Sequence, residues 1–253
     1  MKSQKLVRVE VDGEITHIIL DSAAKHNCLT PVMTIQLHEA FENIDTRVVV
    51  LSAEGVAFSA GSDPDYIREI LANTEHQNIT DSARFQDLMR NVAHCSQPVI
   101  TLVHGNVFGS LLGVVAASDF VIATEDAAFS FAQVKMGLIP GNIAPYVFQR
   151  TGFAKARRLF LTGEVFDADS AEILGLVDYV CKSKKEADKT VKWLVAELLR
   201  GSPHAQSEIK RLTRRAARGE SQNLPEITAT VRASEQAQEG MRAFLEKRKP
   251  DWK

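Results

Sequence analysis

Two separate stretches of this chain carry an apolar strand into a glycine turn and on into a helix start. Val48-Val49-Val50-Leu51-Ser52 leads to Phe58-Ser59-Ala60-Gly61-Ser62-Asp63, and Pro98–Val103 leads to His104-Gly105-Asn106-Val107-Phe108-Gly109-Ser110-Leu111-Leu112-Gly113. Strands this apolar predict burial under helices in a parallel-type sheet. Each junction leaves backbone N–H groups unpaired and aimed outward, at the positive end of a helix dipole. Two such junctions facing one point would form an oxyanion hole. A third stretch, Phe131-Ala132-Gln133-Val134-Lys135-Met136-Gly137-Leu138-Ile139-Pro140-Gly141, follows in the same half of the chain.

The remaining bulk properties mostly exclude. With 253 residues the chain can bury a large core, as one α/β domain or one domain with a helical annex. A hydrophobic share of 45% and a net charge of −2 give no reason to expect nucleic acid or a membrane surface as partner. No apolar run approaches the roughly 20 residues of a membrane span. The beginning, from Met1 to Val11, alternates like a strand and has neither a signal core nor an Arg-rich presequence, so a cytoplasmic location is expected. Cys28, Cys95 and Cys181 are widely spaced and odd in number, which suits apolar fillers in a reducing compartment. No spacing for a metal site, a dinucleotide fingerprint or a Walker loop occurs, and no cofactor is expected.

Along the chain, strands are expected at Lys5–Val11 and Ile15–Leu20 around an Asp12-Gly13 turn, then a helix Pro31–Ile44 capped by Thr30. Tyr66–His94 reads as one or two helices broken by the polar segment Thr74–Asp81. Gly109–Ala117 reads as a helix, Phe120–Ala123 as a strand, Asp167–Leu174 as a helix capped by Asp167, and Val177–Cys181 as a strand. Helices Lys184–Arg200, His204–Arg218 and Pro225–Lys247 complete the pattern.

The order, spacing and wording of the three stretches resemble the enoyl-CoA hydratase/isomerase (crotonase) family, over essentially the whole chain through Glu239–Pro250. The resemblance implies an α/β spiral of stacked ββα units over residues 1–195 and a C-terminal helical region over 196–253 that assembles trimers or dimers of trimers. It places the two hole donors on the backbone N–H of Ser62 and of Ser110, facing a thioester carbonyl that becomes an enolate. The family writes Gly-Ala-Asp and Gly-Gly-Gly there, against Gly61-Ser62-Asp63 and Gly109-Ser110-Leu111 here. Backbone amides do the work, so serine serves provided its φ is accessible; a positive φ at Ser110 would strain it.

Crotonase-type hydratases use two glutamates to move protons, and position by position these fall on Gly113 and Gln133. Glycine has no side chain, and an amide cannot usefully exchange a proton near neutrality. Family members acting on methylglutaconyl-type thioesters are similar in having glycine at the first place and in the run Val134–Pro140, but keep a glutamate where Gln133 stands. Other candidate acids or bases are Asp63, Asp65, Glu69, His76, Asp81 and Asp87, beside plainer roles as caps or solvated faces; Tyr146 is a candidate for the acyl pocket or the core. By resemblance, Lys25 meets the phosphate end of coenzyme A, Phe244 and Lys247 its adenine end, and Ala60, Asp63, Pro64 and Asp65 border the substrate. The expected partner is an acyl-CoA thioester. Three reactions stay open: hydration, isomerisation by one base, and decarboxylation, in which loss of CO₂ itself generates the enolate. A non-catalytic acyl-CoA binder is the fourth reading.

Overall fold

Val48 and Val50 point to one core and Val49 and Leu51 to another, which is why this strand is apolar on both faces. The computed structural model describes residues 5–252, so the outer ends of the two expected regions, residues 1–4 and residue 253, lie outside them. In chain order the elements are β1 (Val7–Asp12), β2 (Ile15–Leu20), a 3₁₀ turn (Ala23–Lys25), α1 (Pro31–Glu42), β3 (Val48–Ala53), α2 (Pro64–Ala72) and α3 (Glu75–His94). Then come β4 (Val99–Val103), β5 (Asn106–Phe108), α4 (Leu111–Ala117), β6 (Phe120–Thr124), β7 (Ala128–Ser130) and a 3₁₀ stretch (Ala132–Met136). After α5 (Ala144–Thr151), α6 (Phe153–Thr162), β8 (Val165–Asp167), α7 (Ala168–Leu174) and β9 (Tyr179–Cys181), the chain ends in α8 (Lys184–Arg200), α9 (Pro203–Ala217), α10 (Leu224–Ala233) and α11 (Glu235–Leu245).

The main sheet has the order β1-β2-β3-β4-β6-β9, antiparallel only at the first pair. One face packs on α8 through Ala187, Leu194 and Val195; the other packs on α1, α3 and α4 through residues such as Met33, Leu88 and Leu112. A second, three-stranded sheet runs β5-β7-β8. Ser59 bridges to Val107 of β5, so β3, β4 and β6 of the main sheet are each followed by a rung of a second ladder and then by helix. That repetition is the ββα spiral expected from the resemblance.

Several boundaries differ from expectation for local reasons. The hairpin turn is Gly13-Glu14, since Asp12 still pairs with Ile15 and Gly13 takes the left-handed conformation at φ +55°. The break between α2 and α3 falls at Asn73-Thr74, and the polar run to Asp81 is helical: Thr74 and Gln77 form a capping box that starts α3. The last helix is two, because Ser234 leaves the helical conformation (ψ 153°) and caps α11 through Ala237 N–H. Strands β5, β7 and β8 have three residues each, too short for a periodic signal. Asp119 caps the entry to β4, accepting from Val99 N–H at 2.8 Å.

Asp119 also meets the nearly buried Lys210, whose ammonium donates to the Gln97 carbonyl at 2.7 Å and so pins α9 to the main sheet. Removing one partner of a buried pair strands the other's charge. Lys210→Met should therefore lower unfolding stability by roughly 3 kcal/mol, the low end for buried pairs because Asp119 keeps some solvent contact. Denaturant melts of Lys210→Met beside Lys210→Arg check this; equal midpoints in Lys210→Met and wild type would refute it.

Candidate active site

The two glycine turns touch. A Cβ added to Gly109 would lie 3.3 Å from Gly61 Cα, and both glycines have positive φ, +70° and +104°. They are brought together by the rung between them: Ser59 N–H donates to Asn106 O and Phe108 N–H to Ser59 O, each at 2.9 Å. The Gly61 turn is also braced from the early loop. Leu29 N–H donates to Gly61 O at 2.7 Å and Asp63 N–H to Leu29 O at 3.0 Å. Asn27 is fully buried, donating to the carbonyls of Glu54 and Ala57 and accepting from Ser22 N–H. The residue after each glycine, Ser62 and Ser110, lies on the wall of one cavity of about 560 Å³. Neighbouring amides are used internally, Gly61 N–H by Ser59 Oγ and Gly109 N–H by Ser130 O, whereas neither Ser62 nor Ser110 N–H has an acceptor among the described residues. Ser110 sits at φ −69°, ψ −32°, an ordinary helical conformation; the left-handed residue is Gly109, so serine is unstrained.

The expected acid positions look different from each other. Gly113 lies inside α4, buried and off the cavity wall, and a Cβ there would come within 2.1 Å of Ile143 Cγ2 and 2.6 Å of Ile143 Cβ. Ile143 fills the space an acidic side chain would cross. Gly113→Ala should overpack this contact, costing about 1–3 kcal/mol because a β-branched residue cannot swing aside. The expected fall in Tm is several degrees by differential scanning fluorimetry, and an unchanged Tm would mean Ile143 moves freely. Gln133, at the start of the 3₁₀ stretch, does line the cavity; it is 7% exposed and its Oε1 has no partner. An unused buried amide atom is costly by about 1–3 kcal/mol, and a bound group on the wall would relieve it.

Of the other candidates, Asp81 alone lines the cavity; Asp63, Asp65, Glu69, His76 and Asp87 do not. Asp63 caps α2, accepting from Asp65 N–H, and takes Lys25 Nζ at 3.0 Å. The hydrogen bond from Lys25 holds the Asp63 carboxyl below its ordinary range, and the same bond raises Lys25. Because Asp63 is lowered, this tie is intact above the ordinary carboxylate range and is lost as the pH falls through the depressed value. Pro64 and Asp65 follow on α2, exposed, with Asp65 pairing Arg68, and Ala60 is exposed beside Gly61. Tyr146 on α5 packs against the core, its phenol raised by burial, and is off the cavity wall. Phe244, 81% exposed, and Lys247 lie at the end of α11, away from the wall. Burial raises the Cys28 and Cys95 thiols, which keeps them protonated.

Tyr66 and Arg84 are wall residues that the sequence reading passed over. The available signal was a stripe at helical spacing, Tyr66 and Ile70 on α2 with Asn78, Asp81, Ser82 and Phe85 on α3, on helical stretches with no fully buried residue before Leu88. Across the cavity Asn142 Nδ2 donates to Ser82 Oγ at 2.8 Å, tying α3 to the loop before α5.

Comparison with known proteins agrees with this architecture. The family model described as enoyl-CoA hydratase/isomerase matches residues 10–253. A solved structure of an enoyl-CoA hydratase from Shewanella pealeana superposes with a TM-score of 0.93 at 34% identity, over 99% of this chain and 97% of that one. Methylmalonyl-CoA decarboxylase of Escherichia coli is 27% identical over 99% of this chain and 98% of its own length. The peroxisomal Δ3,5-Δ2,4-dienoyl-CoA isomerase of Arabidopsis thaliana is 26% identical over 98% and 96%.

Proposed function

The chain belongs to the enoyl-CoA hydratase/isomerase family, and we propose that it binds a small acyl-CoA and stabilises the enolate of its thioester. The observation that carries this reading is the pair of unused amides, Ser62 and Ser110 N–H, on one cavity wall with their glycines in contact. Donors held in place before charge develops stabilise an oxyanion without reorganising. Lys25, exposed beside Asp63, supplies positive charge for a coenzyme A phosphate. The apolar Phe244 and Leu245, 81% and 78% exposed on α11, support assembly as a trimer or a pair of trimers through the C-terminal helices, which light scattering would measure.

Hydration by two glutamates is disfavoured by the closed space at Gly113 and the amide of Gln133. A reaction that needs fewer proton carriers fits better. Isomerisation needs one base. Decarboxylation of a malonyl- or glutaconyl-type thioester needs none to form the enolate, and a decarboxylase is among the full-length relatives. A panel of acyl-CoA thioesters followed by mass spectrometry separates these outcomes: no mass change for isomerisation, −44 Da for decarboxylation, +18 Da for hydration. Binding without any conversion across the panel would favour the non-catalytic acyl-CoA binder, and no binding at all would refute the proposal.

A further inference from the structure

Among the residues lining the cavity, Asp81 is the only carboxylate, and no histidine, cysteine or lysine lines it. The Tyr66 hydroxyl donates to Asp81 Oδ2. That contact crosses from α2 to the second turn of α3. Neither helix has a fully buried residue at this contact: α2 has none at all, and α3 has none before Leu88. The hydrogen bond engages Oδ2 and leaves Oδ1 without a protein partner among the described residues. The Tyr66 phenol is held well above its ordinary value, first by burial and then by the bond to Asp81, so it stays a protonated donor that orients the carboxylate.

We propose that Asp81 is the proton-transfer group of this site, positioned by Tyr66 and standing in for the absent pair of glutamates. The inference rests on the enolate-stabilising reading above. Asp81 takes a proton from the α-carbon of the bound thioester. The C–H electron pair becomes the enolate double bond, and the charge passes to the thioester oxygen before the Ser62 and Ser110 amides. Asp81 then returns a proton, which between the two transfers exchanges with solvent water. Delivery to the α-carbon regenerates the starting thioester, and delivery to the γ-carbon of a dienolate yields the shifted double bond. Atoms and charge balance with no further reactant, so the favoured substrate is an unsaturated acyl thioester with an acidic α- or γ-hydrogen.

The direct test is deuterium exchange at the α-carbon of butyryl-CoA in D₂O, read by mass spectrometry beside calorimetric binding of the same thioester. Wild type should exchange. Asp81→Asn, which keeps an acceptor for Tyr66, and Asp81→Ala should each slow exchange at least about 10²-fold with affinity little changed. Added formate should restore part of the rate in Asp81→Ala and none in Asp81→Asn, a response a purely structural role would not give. Tyr66→Phe should slow exchange about tenfold without weakening binding, the signature of lost orientation. Wild-type rates in Asp81→Asn, or a wild type that binds butyryl-CoA yet never exchanges it, would overturn the assignment and leave the binding reading standing. A wild type that binds no acyl-CoA would overturn both.

Discussion

A Ser110→Pro variant will fold, bind its thioester and lose about 10²–10³-fold in turnover, the range for deleting one oxyanion donor, or roughly 2.7–4 kcal/mol of transition-state stabilisation. Proline is the one substitution that removes a backbone N–H, and Ser110 is suited to it. Its φ of −69° is the value the pyrrolidine ring imposes. Its amide has no acceptor in the fold, its side chain makes no capping bond to α4, and its carbonyl still accepts from Gly113 N–H at 2.9 Å. The preceding residue, which proline restricts, is Gly109, the residue type most tolerant of that restriction. The comparison should use whichever thioester wild type converts, with kcat and KM measured separately. A fall in kcat with KM and Tm nearly unchanged is expected; retained kcat would mean that the Ser110 amide faces no developing charge.

Gln133→Glu is the second large effect, in the opposite direction. The substitution is nearly isosteric and puts a carboxylate on the cavity wall where an amide atom now lacks a partner. General acid–base groups contribute about 10²–10⁴-fold, and with only one of two glutamates restored the gain in crotonyl-CoA hydration should be near 10². Loss of the enone absorbance measures it. Burial also predicts a stability signature. An unpaired buried carboxyl has its pKa raised, so the folded state holds its proton to higher pH than the unfolded chain does. Stability relative to wild type should therefore fall as the pH rises past about 4.3, the unfolded value, and level off above the raised one. No gain in hydration together with that stability signature would place Gln133 in the cavity but away from the reacting carbons.

The legible part of this molecule was whatever local chemistry alone dictates. Caps such as Thr30 and Asp167 accept amides in their helices' first turns, and the doubly buried β3 and β4 are apolar but for Ser52 and Thr101. The two glycine turns were legible because each joins an apolar strand to a helix start, and the fold brings them into contact. Asp81 stood as one candidate acid or base among six, but its pairing with Tyr66 was not legible. They lie fifteen positions apart on separate helices, and what joins them is the angle between α2 and α3, which no local pattern encodes. Nor could the sequence tell that Ile143 occupies the space beside Gly113, a contact across the chain between α4 and the loop before α5.

That contact also shapes the routes by which such a chain can change. Recovering a glutamate at position 113 alone collides with Ile143, and trimming Ile143 to alanine alone leaves a void costing about 2–5 kcal/mol. Each single step is harmful, yet the two relieve each other, so their effects are strongly non-additive. Position 113 and Ile143 therefore act as a lock of two residues, in which a side chain enters at 113 only when Ile143 changes with it.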